Sequence, residues 1–293
     1  MQRRNPLLTA LGAILILIFT GGPIVLAFVG SIVPDRVMFD PNRGLFDEVT
    51  LENYRFIFTG ELPPAYLETG ANRTMISDAA RQVPRSLWNS AQIAFASLLI
   101  NLLLGAPAAF VYARYAFPGK KLSFMFIILS PLVPTVALIT PIYIMIQEAG
   151  LIGSKLGIIF VHAAKALPFT VLILSIFFRK QPTELFEAAT IDGCSRFQSF
   201  FRIAVPMALP ALAATGLFAF MLSYAEFMFA MVLSGDASAR TASVVMASLA
   251  RNPDVSWSLL NAGIFIAILP TLILVALVWR FVIADLVRGA VKS

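Results

Sequence analysis

The sequence predicts an all-α membrane protein of six transmembrane helices with both termini cytoplasmic. Three observations carry that prediction. Of 293 residues, 59% are hydrophobic and 13% charged, against about 25% charged in an ordinary soluble domain. The charges cluster at the ends of long apolar runs. Six of these runs are long enough to cross about 30 Å of hydrocarbon, which takes about 20 helical residues.

In order, the runs are residues 7–33, 86–112, 122–147, 156–178, 206–233 and 255–279. Backbone polar groups find no partner in lipid, so each run reads as a helix rather than an open strand. The first follows Arg3 and Arg4, as a signal peptide would. Its apolar stretch is longer than a signal core and shows no clear cleavage site, so it reads as an uncleaved span. The fourth run contains Lys165 and the fifth Glu226. Proline occurs in every span, among them Pro23, Pro107, Pro131, Pro134, Pro141, Pro168, Pro210 and Pro270. Proline removes a backbone donor and bends a helix. Ordinary tolerance in membrane helices and a bent bundle around a pathway both remain open.

An even number of spans puts the termini on one side. With termini inside, the inner segments carry twelve Lys and Arg against four acids, a net +8; the outer segments net −2. The positive-inside rule selects this orientation. The chain then divides into an N-terminal tail and first helix (1–33), an outer, periplasmic or extracellular segment (34–85), a transmembrane core (86–285) and a cytoplasmic tail (286–293). The outer segment holds turn formers such as Pro41-Asn42, Arg43-Gly44 and Pro63-Pro64. It is expected to cover the outer rim of the bundle or touch a partner.

Several chemistries are excluded. One cysteine, Cys194, cannot form an internal disulfide, and one histidine, His162, cannot form a histidine metal cluster. No metal site and no catalytic residue is expected. His162 reads as a satisfied interior histidine rather than a proton relay. The net charge of +6 lies at span ends and not in a polybasic arm, so nucleic acid is not a partner. No phosphate-binding Gly-x-x-x-x-Gly-Lys-Ser/Thr loop exists. Gly119-Lys120-Lys121 has Arg114 where the upstream glycine would stand. No cofactor is expected in this chain.

The inner loop at 179–206 is far longer than a connector needs, and it reads as two short helices. Pro182-Thr183 opens the first, with Glu184 and Glu187 in its early turns, where acids complement the helix dipole. Gly193 supplies the left-handed residue that ends it. Ser195 with Gln198 makes a capping box for the second helix, and Phe197, Phe200, Phe201 and Ala204 fall on one face. A compact knob with small residues beside a glutamate suits docking into another protein's groove. An amphipathic helix lying on the membrane is the alternative.

Glu187-Ala188-Ala189, then Gly193 after three residues, then Ile203-Ala204-Val205-Pro206 after nine more, resembles the EAA loop of ABC importer permeases. The family has leucine where Val205 stands. Ser86-Leu87-Trp88-Asn89-Ser90, Ala113-Arg114-Tyr115-Ala116-Phe117-Pro118-Gly119-Lys120 and Pro141-Ile142-Tyr143 resemble further family segments. The tail Arg288-Gly289-Ala290-Val291-Lys292 is similar to that of the maltose-type, carbohydrate-importing branch.

The resemblance implies a type I ABC importer transmembrane domain in the bacterial inner membrane. It implies a second permease subunit, a dimeric ATPase that holds ATP and Mg, and a soluble or lipid-anchored solute-binding protein. Glu187, Ala188, Ala189, Asp192, Gly193, Ile203 and Pro206 would couple the ATPase to the spans. Tyr224-Ala225-Glu226-Phe227 is similar to the family's Trp-Asn-Glu-Phe. Glu226, with Lys165 at similar depth and Tyr224, would form either a structural ion pair or part of the path. Gly235, Asp236 and Ser238, in the loop after span five, would contact the binding protein. A sugar is the expected solute, with a polyamine or phosphonate as the alternative. An ion-coupled secondary transporter would need more intramembrane carboxylates than Glu226, and an intramembrane enzyme would need a nucleophile and base that are absent.

Overall fold

A proline and a buried carboxylate sit at two of the breaks in the apolar runs, while Pro23, Pro141, Pro168 and Pro270 lie inside helices. The computed structural model describes residues 6–61, 73–235, 238–253 and 255–290, with side chains at 7–61, 80–235, 238–253 and 255–278. In chain order the helices are α1 (Pro6–Ile32), α2 (Asp35–Met38), α3 (Glu52–Thr59), α4 (Arg73–Arg114), α5 (Lys120–Leu129) and α6 (Thr135–Glu148). They continue with α7 (Lys155–Lys180), α8 (Thr183–Ile191), α9 (Arg196–Ser199), α10 (Leu209–Tyr224), α11 (Met228–Leu233), α12 (Ala242–Arg251) and α13 (Trp257–Ala290). Helices α1, α4, α7 and α13 are each long and apolar enough to cross a membrane. Two bent pairs, Lys120–Leu132 with Thr135–Glu148 and Arg196–Met207 with Leu209–Tyr224, bring the total to six if each counts as one span. The expected all-α, multi-spanning fold is the one adopted.

Three boundaries differ from the apolar runs. The third run is not straight: it bends by 104° at Val133, whose φ of −67° and ψ of 123° are extended. Pro134 follows, and proline disfavours the helical region for the residue before it. The fifth run breaks after Tyr224 and restarts at Met228. Helix α4 begins at Arg73, well before the second apolar run, and extends over 42 residues, about 63 Å at the α-helical rise. Hydropathy marks only the stretch that lipid can cover, while helical hydrogen bonding continues past it.

The chain forms two units. In the first, Met1–Leu87 with Val245–Pro270, Phe56, Ile57, Val83, Val245, Leu249 and Leu259 make a buried apolar core. The Asp35 carboxylate accepts hydrogen bonds from the backbone N–H groups of Trp257 and Ser258, both at 2.8 Å. It thereby caps α13, whose first amides have no helical partner. Ser31 Oγ pairs with Tyr54 Oη at 2.6 Å, and Arg36 pairs with Glu48.

In the second unit, Trp88–Val244 with Thr271–Ser293, α4 and α7 are joined by a buried polar lock. Asn101 Nδ2 donates to the Ala163 carbonyl at 3.2 Å, and Thr170 Oγ1 donates to Asn101 Oδ1 at 3.1 Å. Gly105 makes this approach possible, since a Cβ there would stand 2.5 Å from Thr170 Cγ2.

Candidate functional site

The inner loop is built as two capped helices on an aromatic root. Helix α8 ends at Ile191, and Gly193 follows at φ +79°. Cys194 N–H donates to the Ala189 carbonyl at 2.8 Å and Gly193 N–H to the Thr190 carbonyl at 3.1 Å. These two bonds make a Schellman motif. Ser195 and Gln198 then form a reciprocal capping box. After α9 the backbone widens into a π turn over Phe200–Ala204. That turn divides the expected apolar face. Phe200 and Ala204 are buried, whereas Phe197 and Phe201 are 72% and 50% exposed and pack on each other at 4.6 Å. A single 3.6-residue period does not continue through an i→i+5 turn. Glu187, Ala188, Asp192, Gly193 and Pro206 are exposed, Ile203 is half-buried, and Ala189 is buried.

Phe110, one turn before the end of α4, anchors this knob. Its ring lies 5.2–5.9 Å from those of Tyr115, Phe178, Phe186 and Phe200. Arg114 adds a polar bolt. Its guanidinium donates to the Gln181 carbonyl and, at 3.3 Å, to Thr183 Oγ1, and it sits 4.3 Å from the centre of the Phe186 ring. Gln181 Nε2 in turn donates to the Ala204 carbonyl at 2.9 Å. Helix α8 is thus tied to both the end of α4 and the π turn. Residue patterning singled out the knob but missed Arg114, whose partners lie 67 and 69 residues away, and Phe110, which meets Phe178, Phe186 and Phe200 far along the chain.

A second constellation lies at the break between α10 and α11. Glu226 is buried, and its carboxylate accepts from Phe229 N–H and Ala230 N–H, both at 3.1 Å to Oε2. It therefore caps α11 at the break in the fifth run. His162 Nε2 stands 3.2 Å from Glu226 Oε2, off the ring N–H axis, while His162 Nδ1 and Ser223 Oγ share a hydrogen bond at 2.8 Å. Lys165 Nζ lies 3.4 Å from Glu226 Oε1. His162 and Lys165 are three residues apart, hence neighbours on one face of α7, a spacing that could have flagged His162 as a partner of Glu226. Tyr224 is buried and stacks on Phe220 at 5.5 Å. Beside the pair is an open, mainly apolar cavity of about 480 Å³ lined by Lys165, Glu226, Phe218, Met221, Phe227 and Met228 among others.

Beyond α11, Gly235 has φ +51° and lies close to Gly153, which donates its N–H to the Leu233 carbonyl at 2.9 Å. Ser238 is exposed, and Asp236 lies outside the described residues. The loop is held from behind, because Asn89 Nδ2 donates to the carbonyls of Ser238 and Arg240, both at 3.0 Å. Among the described residues no group of three His, Cys, Asp or Glu could hold a metal ion.

Residues 101–289 match the family described as the binding-protein-dependent transport system inner membrane component. The chain belongs to this family. It is a multi-pass permease subunit of the ABC importer kind. The permease is 34% identical over 215 residues to a putative ABC transporter permease of Streptomyces antibioticus, an alignment covering 73% of this chain and 94% of that one. It is 29% identical over 273 residues to the trehalose transport system permease SugB of Mycobacterium tuberculosis, covering 92% of each. A solved chain of a bacterial ABC transporter that imports the acidic polysaccharide alginate shares its fold. The TM-score is 0.73 at 17% identity, over 96% of this chain and 98% of that one.

Two outcomes follow for variants of the permease. Gly193→Val places a β-branched side chain at a positive φ, which costs about 1–3 kcal/mol. The space around Gly193 is open, so the strain is in the backbone alone. The expected result is a loosened α8–α9 turn, read as faster proteolysis within the loop; an unchanged digestion pattern would refute it. Glu226→Ala strips the cap from Phe229 and Ala230, and a buried donor left unsatisfied costs about 1–3 kcal/mol. Its thermal stability in detergent should fall clearly below that of Glu226→Gln, which keeps an acceptor oxygen. Equal melting of the two variants would show that the cap contributes nothing.

Proposed function

We propose that this permease forms one half of the pathway of a maltose-type, ATP-driven importer for a sugar or sugar derivative. Its inner loop 179–206 docks into a separate ATPase, with Glu187, Ala188, Ala189, Asp192, Gly193, Ile203 and Pro206 at or under the contact. The observation that carries this reading is the rooted knob itself. Glu187, Ala188 and Gly193 are exposed on a two-helix projection whose other side is fixed by Phe110 and Arg114. A rigidly rooted projection passes on a push, whereas a loosely attached one absorbs it. Support for a sugar comes from relatives named for trehalose and diacetylchitobiose uptake and from the alginate importer of the same fold.

In this reading, the positive-inside bias puts the knob and both termini in the cytoplasm. A second permease completes the pathway, and a solute-binding protein delivers the sugar to the outer face. Closure of the ATP-bound ATPase pair moves α8, and Phe110 and Arg114 carry that movement into α4. Access then alternates by rocking of packed helices. Glu226 and Lys165 line the path, and Tyr224 packs behind them. Gly235, Asp236 and Ser238 meet the binding protein.

The test is to purify the permease with its companion subunits and add solute-binding proteins loaded with different solutes. A saccharide-loaded binding protein should stimulate ATP hydrolysis. Stimulation only by a polyamine- or phosphonate-loaded protein would refute the sugar assignment.

A further inference from the structure

The Lys165–Glu226 pair is lopsided, and its imbalance faces the cavity. The Glu226 side chain is 4% exposed and that of Lys165 40%. The carboxylate is served from behind by two amides of α11, with the His162 ring against the same oxygen. The lysine contact at 3.4 Å is long for a charge-assisted bond, which normally measures about 2.7–2.9 Å. An ammonium has three donors; beyond Glu226, the one other contact seen among the described residues is the Phe229 ring, whose centre is 5.6 Å away and which takes no N–H bond in place of a solute oxygen. If Lys165 served only to neutralise Glu226, a shorter and less exposed contact would be expected.

We propose that Lys165 is a specificity-determining residue, whose ammonium receives a carboxylate of the transported saccharide in the cavity beside Glu226. This rests on the sugar-importer reading and deepens it from sugars in general to acidic sugars. The remaining wall is mainly apolar, with Phe218, Met221, Phe227 and Met228, so Lys165 and Glu226 are the charged groups a solute meets there. A hydroxyl of a neutral sugar can also accept from Lys165, but an ionised acceptor makes a bond roughly twice as strong. A carboxylate fits better than a phosphate. Glu226 already shares the single ammonium, so a dianion would bring one more uncompensated charge beside that carboxylate than a monoanion does. The two α11 amides on Glu226 reduce the repulsion that a monoanion meets.

The experiment uses the complete importer with its binding protein in proteoliposomes, with labelled digalacturonate and the neutral digalactose of the same linkage as probes. Wild type, Lys165→Arg, Lys165→Met and the double variant Lys165→Met/Glu226→Gln are compared, with assembled complex quantified for each. Wild type should take up the uronide in preference to the neutral sugar, and Lys165→Arg should retain that preference. Lys165→Met should lower uronide uptake about tenfold or more, the loss expected from a contact of about 1.4 kcal/mol. The double variant removes both charges together, so it escapes the penalty of an unpaired Glu226. It should assemble normally and still fail with the uronide. Normal uronide uptake by the double variant would reduce Lys165 to a structural counter-ion and overturn the inference. So would a wild type that prefers digalactose, which leaves the sugar-importer reading intact. Uptake of neither sugar, with ATP hydrolysis stimulated by a non-saccharide solute, overturns the sugar reading and this inference with it.

Discussion

Glu187→Lys should abolish ATP-driven uptake while leaving the permease folded in the membrane. Glu187 is exposed on α8, so the substitution disturbs no core packing. Its effect is confined to whatever meets that surface. In the proposed dock the Glu187 carboxylate enters a groove of the ATPase beside Ala188, and reversing its charge would replace attraction with repulsion. Truncating one member of a desolvated charge pair costs about 2–5 kcal/mol, and reversal costs at least as much. That is enough to lower occupancy of the contact by more than tenfold. The measurement is recovery of the ATPase with the tagged permease, together with uptake in the same membranes. Glu184→Ala, in the first turn of the same helix, should be mild, because it loses only a dipole interaction of about 0.3–1 kcal/mol. Full uptake by Glu187→Lys would remove the knob from its proposed role.

Arg114→Ala should give the opposite signature: a complex that assembles but transports poorly. The side chain ties α4 to the Gln181 carbonyl, to Thr183 Oγ1 and to the Phe186 ring. Hydrogen bonds from a charged donor contribute about 1.5–3 kcal/mol each, so the knob loses much of its polar attachment. Phe110 still holds it by packing, which should preserve assembly with the ATPase. The expected result is retained ATP hydrolysis with uptake reduced about tenfold or more, equivalent to losing about 1.4 kcal/mol of coupling. Lysine should rescue this only in part, since a point charge cannot reproduce the planar fork over the ring. Parallel loss of hydrolysis and uptake would instead make Arg114 a folding residue.

The contrast between these residues shows what the sequence made legible. Gly193 and the Ser195–Gln198 box were readable because their chemistry is local. A left-handed glycine and a reciprocal cap are set within a few residues. The membrane class was readable for a similar reason, because span length follows from the solvent. Arg114 and Phe110 were not readable. Their contacts join segments far apart in the chain, and residue spacing cannot specify such contacts.

The face assigned to Phe197, Phe200, Phe201 and Ala204 failed for a third reason. The π turn over Phe200–Ala204 changes the helical period partway along, leaving Phe197 and Phe201 outside. Glu226 shows an intermediate case. A charge within a span signals a constraint, and patterning placed Lys165 at its depth. The helix cap and the His162 contact needed three dimensions. The bend at Val133 was half legible: Pro131 and Pro134 marked a weak point, but not an angle of 104°.

The cap on α13 has a consequence for how the molecule is made. Asp35 is synthesised 222 residues before Trp257, whose amide it accepts. A nascent chain leaving the ribosome therefore presents this carboxylate, next to the first span, long before its partner exists. Until the last span is inserted, water must occupy both oxygens. A polypeptide that terminates before Trp257 can insert its early spans and still never close this contact. In every unfinished copy the segment around Asp35 can keep its early pairs, Ser31 with Tyr54 and Arg36 with Glu48, but lacks its tie to the final helix.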